Sequence, residues 1–166
     1  MKNDTIDALE LLKSQHQEVE ELMEMLEKSE DPGKKSEMFT ELADKLAAHA
    51  TIEEKIFYPG VKAEATQELL VESVEEHLSV KRLLADMMEL SVEDESFDAK
   101  LSVLKEQVHH HAIEEEEGEM FPKVRKLMSK DELAAMGNEM MAMFETLMEG
   151  DPRLNIPSET TEAAPI

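Results

Sequence analysis

Gln107 to Pro122 reads QVHHHAIEEEEGEMFP, three consecutive histidines running into a block of carboxylates. Read backwards at helical spacing it continues a stripe of Leu101, Leu104, Val108, His111 and Glu115, whose steps of 3, 4, 3 and 4 residues keep one helix face turned inward. His111 and Glu115 thus take places where core leucines are expected. Glu41 to Pro59 repeats the arrangement: Phe39, Leu42, Leu46, His49 and Glu53 follow the same steps, and this stretch also ends in an aromatic residue and a proline. Two helices each aim a His-x-x-x-Glu pair at the interior. A buried imidazole or carboxylate without a partner costs several kcal/mol, so a core holding two such pairs must satisfy them.

Composition narrows what can satisfy them. The chain has 166 residues, enough for one domain with a proper core. Cysteine is absent, which excludes disulfides, thiolate metal sites, iron–sulfur clusters and cysteine nucleophiles and leaves nitrogen and oxygen donors. A formal net charge of -23 would repel nucleic acid and anionic lipid, so neither is expected as a partner. The opening MKNDTIDALE lacks the apolar core of a signal peptide, and no run approaches the roughly 18 apolar residues of a membrane span. A soluble, cytoplasmic protein is the expectation. Aromatics are 4% of the chain against 13 methionines, which predicts an aliphatic and thioether core.

Four amphipathic helices are predicted. The first covers about Thr5 to Ser29, with Asp4 or Thr5 as N-cap and His16 on its apolar face beside Leu9, Leu12, Val19 and Met23. The second runs from about Lys34 to Phe57, the third from near Thr66 to Leu90 with His77 inward, and the fourth from about Phe97 to Phe121, with Val124, Leu127 and Met128 able to extend it beyond Pro122. Ser129 to Glu132 is a capping-box signature for a last helix, Lys130 to Glu149, and the Pro, Ser, Thr and Glu content from Gly150 onward predicts disorder. The expected fold is all-α: an up-down-up-down four-helix bundle over residues 1–128, an additional C-terminal helix over 129–149 and a disordered tail over 150–166.

Thr5, Pro59, Thr66 and Pro122 share one end of such a bundle. Counted from them, His16, His49, His77 and His111 all lie 10 or 11 residues along, roughly 16 Å at the usual helical rise, with Glu53 and Glu115 one turn nearer that end. Four imidazoles and two carboxylates exceed the needs of one tetrahedral zinc but divide evenly over two ions, two histidines apiece with both carboxylates bridging. Such a donor set suits iron or manganese with coordination positions left open, and does not exclude zinc or copper. The acidic block also permits Glu114 or Glu116 in place of Glu115. His109 and His110 fall off the stripe and read as surface residues or as supports behind the ligands, with His110 able to pair with Glu114. Glu54, Glu114, Glu116, Glu117 and Glu119 read as a solvated face, and Phe57 and Tyr58 as caps on the bundle end.

The segments LLKSQH ending in His16, HATIEEKIFYP from His49, EEHLSV around His77 and HHHAIEEEEGEMFP near His111 together resemble the hemerythrin-like, HHE cation-binding domains over about Ile6 to Arg125. The resemblance implies a bundle holding two non-haem iron ions with an oxo or hydroxo bridge, and it places the ligands on His16, His49, Glu53, His77, His111 and Glu115. It implies a protein that binds or reacts with oxygen, peroxide or nitric oxide, in sensing, stress defence or iron handling. An enzyme turning over peroxide or nitric oxide at the same centre, and a helical interaction module with a structural metal, are the alternatives. Oxygen-carrying members have one more histidine, and the corresponding positions here are Ser73 and Lys81. That departure weighs against reversible oxygen carriage.

Overall fold

The computed structural model describes residues 6–166, and every regular element among them is helical. Helix α1 spans Ala8–Lys28 and opens on Asp7, whose side chain accepts from the Glu10 amide while Glu10 reaches back to the Asp7 amide. The cap therefore falls later than expected; Asp4 and Thr5 lie outside the described residues. Helix α2 spans Pro32–Ile52, begun by the Asp31 side chain and by a proline whose fixed φ suits the first turn. It runs on through a π-helical turn, Glu53–Phe57, into the single turn α3, Tyr58–Gly60. Helix α4 is Gln67–Met88. Helix α5, Glu95–His109, continues through a long π-helical segment, His110–Met120, into α6, Phe121–Leu127, so Pro122 does not end the rod.

Both π segments are followed by an aromatic residue and a proline, and the geometry explains why. A proline has no N–H and its ring clashes with the carbonyl four residues back. A π turn pairs each N–H with the carbonyl five back, and the residue before each proline does this, Tyr58 to Glu53 and Phe121 to Glu116. The wider turn accommodates the proline without breaking the helix.

The rods pack α1 on α2, α1 on α5 and α4 on α5, as an up-and-down bundle requires, while α2 and α4 barely touch. Two separate apolar clusters result. One, around Leu26, Phe39, Leu84, Met87, Phe97 and Leu104, fills the half far from the prolines. The other, around Leu9, Ile52, Phe57, Leu70, Phe121 and Met140, fills the near half. Helix α7, Lys130–Met148, begins on the expected Ser129–Glu132 capping box and covers the near half through Leu133 and Met140. Gly137 lets it come close: a Cβ there would lie 2.7 Å from the Ile6 carbonyl oxygen.

The tail corrects the composition-based reading. Residues Pro152–Glu159 form a 3-10 helix laid along the seam that α2 and α4 leave open. Asp151 turns the chain into it with φ 52, a left-handed conformation that Asp tolerates better than most residues. The Arg153 guanidinium donates to both carboxylate oxygens of Asp44 at 3.2 and 3.0 Å, Lys81 Nζ meets Glu159 at 3.4 Å, and Ile156 is 1% exposed. Two apolar anchors, Pro152 and Ile156, with ion pairs on either side of Ile156 order a segment too polar to form a core of its own. No helix among the described residues is long and apolar enough to cross a membrane.

Candidate metal centre

Between the two apolar halves lies a polar layer. His16 of α1, His49 of α2, His77 of α4 and His111 of the second π segment reach one level, all buried. They stand as two edge-on pairs, ring centroids 4.9 Å apart for His16 and His49 and 4.7 Å apart for His77 and His111.

Each ring is oriented from behind. Nδ1 of His16 meets Glu117 at 2.7 Å, that of His49 meets the Gln15 side-chain oxygen at 2.6 Å, that of His77 meets Glu54 at 2.7 Å and that of His111 meets Glu76 at 2.8 Å. Carboxylate and amide oxygens only accept, so each Nδ1 must donate, and a neutral ring then presents the Nε2 lone pair to the interior. Four Nε2 lone pairs converge around two carboxylates, Glu53 and Glu116, both 0% exposed. Nε2 of His49 lies 2.9 Å from Glu53, that of His77 3.3 Å from Glu53 and that of His111 2.7 Å from Glu116. These distances do not carry hydrogen-bond alignment throughout: His16 Nε2, His49 Nε2, Glu53 Oε1 and both Glu116 oxygens are buried without a hydrogen-bond partner. Buried polar atoms are normally satisfied, and inward lone pairs from nitrogen and oxygen alike call for cations.

Two buried donor groups follow, His16, His49, Glu53 and Glu116, and His77, His111, Glu53 and Glu116, each with its donor atoms within 4.8 Å of one another; Glu76, His110 and Glu115 make a third, more exposed group. The two buried groups share both carboxylates. The electrostatics agree with a cation-binding role. Burial, then the Glu53 charge, holds the Glu116 carboxyl well above the usual range, whereas Glu53 is held well below it because His49 and its other neighbours outweigh burial. The pair of carboxylates therefore retains a proton that a bound dication would displace. Burial also lowers the His16 imidazole, keeping it in the neutral form that binds metal.

Of the six residues expected inward, His16, His49, Glu53, His77 and His111 come together and Glu115 does not. Glu115 lies at the surface side, its Oε1 2.9 Å from His110 Nε2, with burial and the neighbouring Glu76 raising its carboxyl to about 7. Glu116 occupies the inward place instead. The reason is the π segment: His111 and Glu116 are five residues apart, which is the same-face spacing there, whereas His49 and Glu53, four apart, straddle the end of an ordinary α-helix. His110 does pair with Glu114, at 2.8 Å, and His109 meets Glu20 at 2.6 Å.

Other polar residues escaped the sequence reading. Glu54, Glu116 and Glu117, assigned to a solvated face, hold or face the imidazoles, and Lys81 clamps Glu54 with contacts of 3.0 and 3.1 Å. Tyr58 is not merely a cap. Its hydroxyl reaches the layer, 3.2 Å from His77 Nε2 and 3.4 Å from both His111 Nε2 and Glu53 Oε2. Burial, with the Glu116 and Glu53 charges, raises its pKa and keeps it a neutral phenol. Phe57 and Phe121 form the floor, centroids 5.8 Å apart.

The residues behind the rings supply a graded test. Glu76→Ala leaves the His111 Nδ1 proton without its acceptor, and metal affinity is expected to fall about 10- to 100-fold by titration calorimetry. His110→Ala, whose half-exposed ring touches only Glu76, Glu114 and Glu115, is expected to bind metal as the wild type does. Equal losses in both variants would mean that the ring's orientation does not govern binding.

Comparison with known proteins agrees with this geometry. A hemerythrin HHE cation binding domain-containing protein from Mycobacterium kansasii has the same fold, with a TM-score of 0.76 at 24% identity over 87% of this chain and 88% of that one. A DNA nickase of a Nostoc species is 28% identical over 133 residues, 80% of this chain; the chain spans only 38% of that relative's length. The family described as hemerythrin HHE cation binding domain matches residues 7–124, which include all four imidazoles and both buried carboxylates. The chain belongs to the hemerythrin HHE cation binding domain family.

Proposed function

We propose that the centre holds two non-haem iron ions with an oxo or hydroxo bridge, and that the protein binds or reacts with oxygen, peroxide or nitric oxide in the cytoplasm. One observation carries this reading: four imidazoles, each fixed through Nδ1, turn Nε2 onto two shared carboxylates in a layer with no thiolate. The two imidazole nitrogens and two carboxylate groups offered to each ion would leave room for an external ligand on a six-coordinate metal. Iron so held supplies electron transfer to an oxygen or nitrogen ligand.

The chain's own residues orient the rings, exclude water with the apolar halves on either side, and place one protic group, the Tyr58 hydroxyl, at the His77–His111 pair. Of the positions that stand for the missing histidine, Lys81 turns its ammonium to Glu54 and Glu159, so neither it nor the short Ser73 side chain supplies a nitrogen ligand. The site thus offers two imidazoles to each ion, a donor set that would favour the oxidised state of bound iron over reversible carriage. DNA nicking is not carried over from the Nostoc relative, because a net charge of -23 opposes approach to a phosphate backbone.

Metal analysis of aerobically purified protein tests the proposal, with about two irons per chain and near-ultraviolet absorption of a bridged ferric pair expected. Reduction and re-exposure to oxygen should restore that spectrum without return of the ferrous form on degassing. A colourless protein carrying zinc would overturn the proposal in favour of a structural metal.

A further inference from the structure

Beside the imidazole layer, at the seam between α2 and α4, lies an apolar cavity of about 40 Å³ that Tyr58 does not line. Its walls are the four imidazoles together with Val19, Leu46, Val80, Leu84, Val108 and Ile156. A single water needs roughly 10–15 Å³ of such space, so a molecule of two heavy atoms fits and a metabolite does not. The lining offers a guest almost no hydrogen bonds beyond the rings themselves, which disfavours water and anions and suits an uncharged diatomic.

Ile156 is the wall that does not belong to the bundle. It comes from the 3-10 segment, beyond the residues that the family covers, and it fills the gap that α2 and α4 leave. Outside it, Glu54, Lys81, Glu159 and residues 162–165 bound a larger, polar recess of about 250 Å³. Lys81 borders both spaces, and its 3.4 Å contact with Glu159, with the Arg153–Asp44 pair at the other end, holds the segment down. Such a tethered segment, anchored by two apolar side chains, Pro152 and Ile156, and by part-buried ion pairs, has little buried apolar surface and belongs to the low-stability end of a structure.

We propose that residues 151–159 are a gate on the metal centre, with Ile156 as the plug that sets the size of the chamber and the passage of an uncharged diatomic such as oxygen or nitric oxide into it. The identity of the ligand rests on the di-iron reading above; the chamber and its plug do not. The apolar lining, whose lysine, Lys81, is already engaged by Glu54 and Glu159, disfavours charged ligands, and the diatomic crosses when the Lys81–Glu159 and Arg153–Asp44 contacts open.

Two readouts separate these layers. Xenon binding to zinc-loaded protein, followed by xenon magnetic resonance, reports the chamber without redox chemistry. Ile156→Ala should raise xenon affinity about fivefold, because apolar space is added to the chamber. Nitric oxide association with ferrous-loaded protein should accelerate about tenfold in Ile156→Ala and in the Asp44→Asn, Glu159→Gln double variant, the latter with little change in affinity because a gate alters both directions alike. The double variant carries the test if Ile156→Ala melts markedly lower. Xenon affinity and nitric oxide rates within twofold of wild type in the folded variants would overturn the gate. A xenon response without any nitric oxide binding would leave the chamber standing and remove the di-iron reading instead.

Discussion

Glu116→Gln is expected to lower bound metal from about two ions per chain to a small fraction of one, an affinity loss of at least about 100-fold, while Glu115→Gln keeps its metal within about twofold. Glu116 offers oxygens to both buried donor groups, so its loss damages both at once; Glu115 touches neither imidazole pair. A control distinguishes a lost ligand from a lost fold. Glu116 sits fully buried against Glu53, where burial and the Glu53 charge favour an uncharged carboxyl, and the amide is uncharged and of the same shape, so metal-free Glu116→Gln should melt no lower than metal-free wild type. Metal retained in Glu116→Gln and lost in Glu115→Gln, by elemental analysis of matched preparations, would reverse the assignment.

Removing metal from the wild type should lower its melting temperature by roughly 15–30 °C relative to protein saturated at about 1,000 times Kd at both sites. Each site then contributes about 4 kcal/mol by mass action, and a domain of this size shifts about 2–4 °C per kcal/mol. The physical source is the polar layer, where unpartnered imidazole nitrogens and carboxylate oxygens are left in the interior. The sign with pH follows from competition: ligands must be deprotonated to bind, so the stabilisation is present at neutral pH and disappears as acid displaces the ions. Calorimetry of metal-loaded and chelator-treated samples decides it. Coincident transitions would show that the protein satisfies its own histidines.

Much of this was legible in the chain because helical period and bundle length are both simple rules. The stripe through Leu101, Leu104 and Val108 put His111 inward, and equal distances from the shared bundle end put four imidazoles at one level. Glu115 was misplaced because the period was assumed constant through a π segment. A signal for the change was present: reading back from Val124 through Met120, both buried, in steps of four arrives at Glu116. The forward and backward readings differ by one residue, and that residue is the π insertion. Gln15, Glu54, Glu76 and Glu117 were not recoverable this way, since a residue holding a ring from behind has no periodicity of its own. Tyr58 was hidden because its hydroxyl reaches back to the layer from the start of α3, just beyond the first π turn, and the tail because two buried apolar residues outweigh a polar composition only where a seam of the right width exists.

The layer also divides the molecule mechanically. Two apolar clusters that share no residue are joined by a stratum whose groups attract one another poorly without cations. Each half can therefore loosen with little penalty to the other until ions rivet the stratum, after which all four rods must part together. Metal in such a bundle determines how many pieces the protein comes apart in, as well as how hard it is to pull apart.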